Sequence, residues 1–220
     1  TFLTTSRADF SILKPLIVSS KKDKYFNCQV VVSGSHLSKK FGYTIKDIIK
    51  SRIKISKKIK LKNLSNNPHN LLSDSSNLSL KFLKYLQQFK PDLLVILGDR
   101  YEILSCAICA FLAGVKIAHI HGGELTTGSM DDTFRHCISK LSNIHFVSHI
   151  SYKKRLIQLG ENPKRIFMVG GLAAENIKNF KSLSKNNIEE KFQFNFNEKN
   201  ILVNLQPVTY NNIENNLIIK

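Results

Sequence analysis

No apolar run in this sequence approaches the roughly 20 residues that span a bilayer, and no charged-then-apolar leader with a cleavage site is visible. Membrane insertion and secretion are therefore not expected. The sequence also lacks GxGxxG and GxxxxGK[ST], the glycine loops that cradle a dinucleotide or the phosphates of ATP. Cysteine is sparse, and Cys28, Cys106, Cys109 and Cys137 each fall in an apolar periodic segment. Cys106 and Cys109 mimic CxxC, but "LSCAICAFLAG" has a helical period, no second CxxC follows, and no Gly-Pro separates the sulfurs. They read as buried free thiols of a reducing cytoplasm. Acidic residues are few as well. With 33 Lys and Arg against 16 Asp and Glu, the formal charge is +17, which raises nucleic acid as a partner. Few aromatics are interleaved with the lysines as stacking platforms, and the lysines are scattered through Ile/Asn/Lys-rich surface segments such as "KSRIKISKKIKLKN". A compositional lean and a preference for small anionic ligands account for the charge, and no nucleic-acid partner is expected.

What is present is a chain of 220 residues, 42% hydrophobic, long enough to bury a substantial core. Apolar strand-like runs are expected at 1–5, 29–33, 93–98, 115–121, 144–148 and 166–169, with helices near 9–19, 75–89, 101–113, 130–142, 150–159 and 172–180. Segment 51–61 alternates like an edge strand and also fits a surface turn. Runs apolar at every position, such as "LLVILG", fit strands covered on both faces. The alternation predicts an α/β fold, a Rossmann-like parallel sheet with helices on both faces, over residues 1–180. Residues 181–199 turn polar and lose the helical period, which reads as a linker. "ILVNLQPVTY" opens a new buried strand within 200–220, the expected start of a truncated second Rossmann-like domain. Thr1, in place of Met, already reads as part of a strand.

In open parallel sheets ligands collect at the carboxyl ends of strands. Four such ends carry polar groups: "SRAD" after strand one, "SGSH" after strand two, "GDR" after "LLVIL", and "HGGE" after "VKIAHI". They bring Arg7, His36, Asp99, His121 and Glu124 to one rim. Each has a plainer reading. Asp99 serves equally as a helix cap, His36 as a turn histidine, and one of His119 and His121 as a core histidine on their shared strand face. Asp131 and Asp132 suit the start of a helix, where Arg135 could pair with Asp131 four residues back. Gly122-Gly123 offers a turn where backbone approaches a ligand closely. Phosphate could be held by Arg7, Arg135 and helix N-termini.

The blocks "TTSRADFSILKPLI", "VSGSHLSKKFGYTI", "LLVILGDRYEILSCAICAF", "IAHIHGGELTTGSMDDTFRHCISKLSNIHFVS" and "RLIQLGENPKRIFMVGGLAAENI" resemble, in order, the hydrolysing UDP-N-acetylglucosamine 2-epimerases. The resemblance implies the first half of a two-domain GT-B-type fold and a UDP-sugar substrate. It further implies a cytoplasmic homo-oligomer, dimer or tetramer, with neither metal nor other cofactor. The implied reaction eliminates UDP across C1–C2 and hydrates the glycal, giving N-acetylmannosamine for sialic acid synthesis. Close relatives act on UDP-N,N'-diacetylbacillosamine. By this resemblance Asp99, His121, Glu124, Asp131 and Asp132 form the acid–base set, while Arg7, His36, Arg135 and His136 hold substrate. An inactive nucleotide-sugar-binding fragment is the non-enzymatic alternative. Three departures from the family pattern stand out: Thr5 where Gly is frequent, Glu175 in "AAENI" where Asp is usual, and Gln206 in "LQPVT" where His is common.

Overall fold

The computed structural model describes residues 1–65, 67–178, 180 and 182–204. Its strands are β1 Phe2–Thr4, β2 Val30–Val32, β3 Lys57–Lys58, β4 Leu93–Leu97, β5 Lys116–Ile120, β6 Ile144–Val147 and β7 Ile166–Met168. All pair in parallel, in the order β3-β2-β1-β4-β5-β6-β7. The helices are α1 Arg7–Lys22, α2 Ile45–Lys50, α3 Pro68–Phe89, α4 Tyr101–Leu112, α5 Met130–Leu141, α6 Ile150–Gln158, α7 Leu172–Lys178 and α8 Lys185–Phe192.

Side chains alternate across a strand, so a run apolar throughout needs cover on both sides. Leu3, Val31, Leu94, Ile96 and Ile117 pack on one face with Phe82 and Tyr85 of α3, Ile103 and Cys106 of α4, and Ile138 of α5. Phe2, Val30, Val32, Leu97 and Ile120 take the other face, with Phe10, Leu13 and Ile17 of α1 and Ile45 and Ile48 of α2. Truncating one of these fully buried aliphatics to Ala costs about 2–5 kcal/mol.

The differences from the sequence reading have local causes. Helix α1 begins at Arg7 because Ser6 and Asp9 form a reciprocal capping box, two residues before the apolar period becomes visible. Helix α3 starts at Pro68, where the Asn67 side chain accepts from His69 N and Asn70 N, and its first turns are too polar to show a period. Helix α2 went unread because six residues give less than two turns of pattern. Segment 51–61 contributes only the exposed pair β3 at the sheet edge. The stretch 181–199 read as a linker carries α8, capped by Ser184. Residues 205–220, with Gln206 and most of the anticipated second domain, lie outside the described residues.

All four cysteines are free thiols, but Cys137 is exposed on α5, so only Cys106 and Cys109 match the buried expectation. Nor are all the lysines scattered. Lys39, Lys40, Lys58, Lys60 and Lys62 line one groove of about 570 Å³ beside β2 and β3. Among the described residues no helix is long and apolar enough to cross a membrane.

Candidate active site

The carboxyl ends of β1, β2, β4, β5 and β6 share one rim, because every pair in the sheet is parallel. At the β1–β2 end, the Asp9 carboxylate receives Thr5 N and Thr5 Oγ1 at 2.9 Å each, and Ser6 N at 3.1 and 3.0 Å. Thr4 Oγ1 donates to it as well. His36 is fully buried, with Nε2 2.9 Å from Thr4 Oγ1 and Nδ1 2.8 Å from Thr44 Oγ1. Both ring nitrogens are engaged with these hydroxyls, and the ring fastens β1 to the turn before α2. Arg7 is exposed on the first turn of α1. Thr5 is itself buried, its hydroxyl turned to Asp9.

The β4–β6 end is different. Asp99 does not cap α4, whose N-cap is Arg100 without a side-chain cap bond. It pairs instead with Arg135 of α5. Arg135 also donates to Thr126 Oγ1 at 2.9 Å and lies 4.0 Å from Asp132 Oδ1. The expected partner, Asp131, is bonded through Oδ2 to Ser129 Oγ at 3.2 Å. Asp132 accepts from Thr126 N at 2.6 Å and faces His136 Nε2 at 3.7 Å. His121 Nδ1 lies 2.6 Å from Glu124 Oε1, the oxygen that Ser148 Oγ reaches at 3.0 Å. The structure thus gathers Asp99, His121, Glu124, Asp131, Asp132, Arg135 and His136. Among the described residues no hydrogen bond or ion pair links Arg7 or His36 to them.

Two carboxyls of this cluster are pushed in opposite directions. Burial raises Asp99 and outweighs the Arg135 charge, with Asp131 adding to the rise. Burial also pushes Glu124 up, but the hydrogen bond and charge of His121, then the Ser148 hydrogen bond and the Arg135 charge, prevail and hold it below its ordinary value. A pair separated in this way can supply a proton donor and an acceptor at one pH.

The two histidines at the end of strand β5 part company. His119 is fully buried, its Nδ1 3.1 Å from Ser139 Oγ and its Nε2 2.8 Å from Gly98 O, and burial pushes it down to about 3. It is the core histidine. The strand ends at Ile120, and His121 takes a left-handed φ of 65°, which redirects its ring. Gly122-Gly123 serves packing. A Cβ on Gly122 would stand 2.9 Å from Ser139 Oγ, and one on Gly123, at φ 75°, would stand 2.6 Å from Tyr152 O. The turn meets helices α5 and α6 where close approach to a ligand was expected. Arg155 of α6 holds it further, donating to Gly123 O.

Several participants escaped the sequence reading. Ser148 sits just past β6 with no motif around it. Thr126 lies in the turn before α5. Glu102, fully buried, pairs with Arg100 at 3.0 Å. Asp9 alone had a legible signal, the capping box in "SRAD". Glu175 falls in α7. Among the described residues no three His, Cys, Asp or Glu side chains are placed to hold a metal ion.

Four buried polar atoms of this cluster have no hydrogen-bond partner: His121 Nε2, Arg135 Nε, Arg135 Nη1 and His136 Nδ1. Unpaired buried donors and acceptors are costly, and four of the five such side-chain atoms among the described residues fall in this cluster.

A parallel sheet in this order, with a mixed acid–base cluster on its carboxyl rim, makes this a Rossmann-like α/β domain. Residues 19–218 match the model of UDP-N-acetylglucosamine 2-epimerases, and the chain belongs to that family. It is 42% identical to the GDP/UDP-N,N'-diacetylbacillosamine 2-epimerase (hydrolyzing) of Campylobacter jejuni, over 95% of this chain and 54% of that protein. It is 34% identical to the UDP-N-acetylglucosamine 2-epimerase of Neisseria meningitidis, over 76% of this chain and 44% of that one. The crystal structure of the Neisseria meningitidis UDP-GlcNAc 2-epimerase bound to UDP-GlcNAc superposes with a TM-score of 0.73 at 18% identity, covering 87% of this chain and 52% of that chain. The chain spans about half the length of the curated relatives it matches.

Proposed function

We propose that the protein is a hydrolysing 2-epimerase of a UDP-2-acetamido sugar. The C2 proton is removed, UDP leaves from C1, and water adds to the resulting glycal to give the C2-inverted free sugar. The observation that carries this reading is the set of four buried polar atoms without a hydrogen-bond partner among groups able to give and take protons. Asp99, His121, Glu124, Asp131 and Asp132 form the acid–base wall, Arg135 and His136 face the substrate, and Arg7 meets the diphosphate. Positioned acids and bases of this kind contribute about 10²–10⁴-fold each.

The sequence reading puts UDP-N-acetylglucosamine first as substrate, with N-acetylmannosamine as product and sialic acid supply as its use in the cytoplasm, by a homo-oligomer. A second reading, UDP-N,N'-diacetylbacillosamine, is favoured by the higher identity to the Campylobacter enzyme, 42% against 34% for the Neisseria one. The test incubates protein expressed from its complete coding sequence with each UDP-sugar in deuterium oxide and follows the products by NMR. Released UDP and an inverted free sugar carrying deuterium at C2 are expected from one of the two. Turnover of neither would refute the epimerase reading, and binding without turnover would favour a nucleotide-sugar-binding role.

A further inference from the structure

We infer that His121 Nε2 is the atom that takes the C2 proton, set to that task by a relay running from Ser148 through Glu124 to the His121 ring. The inference rests on the epimerase reading above and assigns one step of it to one atom.

Three features of geometry converge on it. Glu124 Oε1 lies 2.6 Å from His121 Nδ1 and 3.0 Å from Ser148 Oγ. A carboxylate oxygen can only accept, so both neighbours donate to it. A ring proton therefore sits on Nδ1, and when the ring is neutral its lone pair is on Nε2. That Nε2 is buried and has no partner. The second feature is backbone strain. His121 adopts φ 65°, uncommon for a residue with a Cβ, and such conformations persist where the surroundings over-determine them. Here the surroundings are rigid: His121 N donates to Phe146 O at 3.0 Å, and Arg155 together with the Gly123–Tyr152 contact fixes the following turn. The third feature is the separation of roles on the rim. Asp99 shares its carboxylate with Arg135, whereas Glu124 spends Oε1 on orienting the imidazole. The low-lying Glu124 carboxylate then balances the imidazolium that forms.

In this step the C2–H bond breaks and its proton passes to Nε2. The C–H electron pair becomes the C1=C2 bond, and the C1–O pair leaves on the diphosphate. The imidazolium releases the proton to water before the next turnover, so the ring ends as it began. In this one step Glu124 and Ser148 position the ring, and His121 takes the proton.

The test has two parts. Nitrogen-15 NMR of the seven histidines, with His121 assigned by its loss in His121→Asn, reads the tautomer without any substrate. Asn is chosen because it tolerates positive φ. A ring protonated on Nδ1 in the wild type, and no longer so in Glu124→Gln, is the expected result; a ring protonated on Nε2 would overturn the relay. In the protein from its complete coding sequence, His121→Asn should lower kcat by about 10²–10⁴-fold with KM within about threefold. Ser148→Ala should lower kcat by roughly threefold to tenfold, and Ser148→Thr should restore it. A His121→Asn variant that keeps kcat within threefold of wild type would overturn the assignment. Wild-type protein inert toward every UDP-acetamido sugar would instead refute the epimerase reading, while the tautomer would still decide the relay.

Discussion

At the β1–β2 end of the rim, Asp9 receives hydrogen bonds from Thr4, Thr5 and Ser6, and His36 uses both ring nitrogens. At the β4–β6 end, His121, Arg135 and His136 leave four buried polar atoms without a hydrogen-bond partner. The residue types are the same: an acid, a histidine, hydroxyls, and a turn between strand and helix. What differs is completion. A satisfied polar network stiffens a fold, whereas an unsatisfied one waits for a ligand. Position on the rim made both ends candidates, and hydrogen-bond accounting separates them.

That contrast can be broken by experiment. The largest effect is expected at the open end: Arg135→Gln should reduce UDP release by about 10²–10³-fold, the usual cost of losing one fixed electrostatic donor, with the folded protein still soluble. If turnover stays within threefold, the open end is not the site. At the closed end Asp9→Ala should destabilise by roughly 2–4 kcal/mol, since several buried donors lose a charged acceptor and α1 loses its cap. Urea denaturation would show this, while turnover of the folded fraction changes less than tenfold. A turnover loss as deep as that of Arg135→Gln would erase the distinction.

The turn joining β5 to the site sharpens the picture. Gly123→Ala, at φ 75° with a Cβ 2.6 Å from Tyr152 O, should cost about 1–3 kcal/mol in a thermal melt. Per pH unit, the smallest expected effect concerns His119. Its folded value lies near 3, below the ordinary 6.5, because burial disfavours the charged ring. The unfolded chain therefore binds more protons between these values, so the stability contributed by neutral His119 is present above about pH 6.5 and is lost as pH falls toward 3. Replacing it by Gln, which can still hydrogen-bond, should flatten stability against pH by up to about 1.4 kcal/mol per unit in that window. An unchanged slope would mean that another group carries the acid sensitivity.

Much of the fold was legible because it rests on repeating patterns. "LLVILG" is apolar at every position because β4 is covered on both faces, and the order of strand and helix along the chain dictates parallel pairing. What stayed hidden was short or polar: α2, the first turns of α3, and α8 inside the stretch read as a linker. The candidate site was legible as a rim, through Asp99, His121, Glu124, Asp131, Asp132 and Arg135. Ser148 was not, because a lone serine after a strand carries no pattern until the fold sets it beside Glu124. The glycine pair was seen and given another purpose, since the helices it touches come from 17 to 33 residues further along the chain.

The sequence by itself determined the covered parallel sheet, the family, and the end of the sheet where chemistry gathers, since these follow from periodicity and from motifs read along the chain. Only the tertiary structure decided that His119 is core while His121 turns to Glu124, that His36 is fastened inside, and that Arg135 answers Asp99. These choices depend on burial and on which partners remain for each polar atom, and both are set by residues distant in sequence.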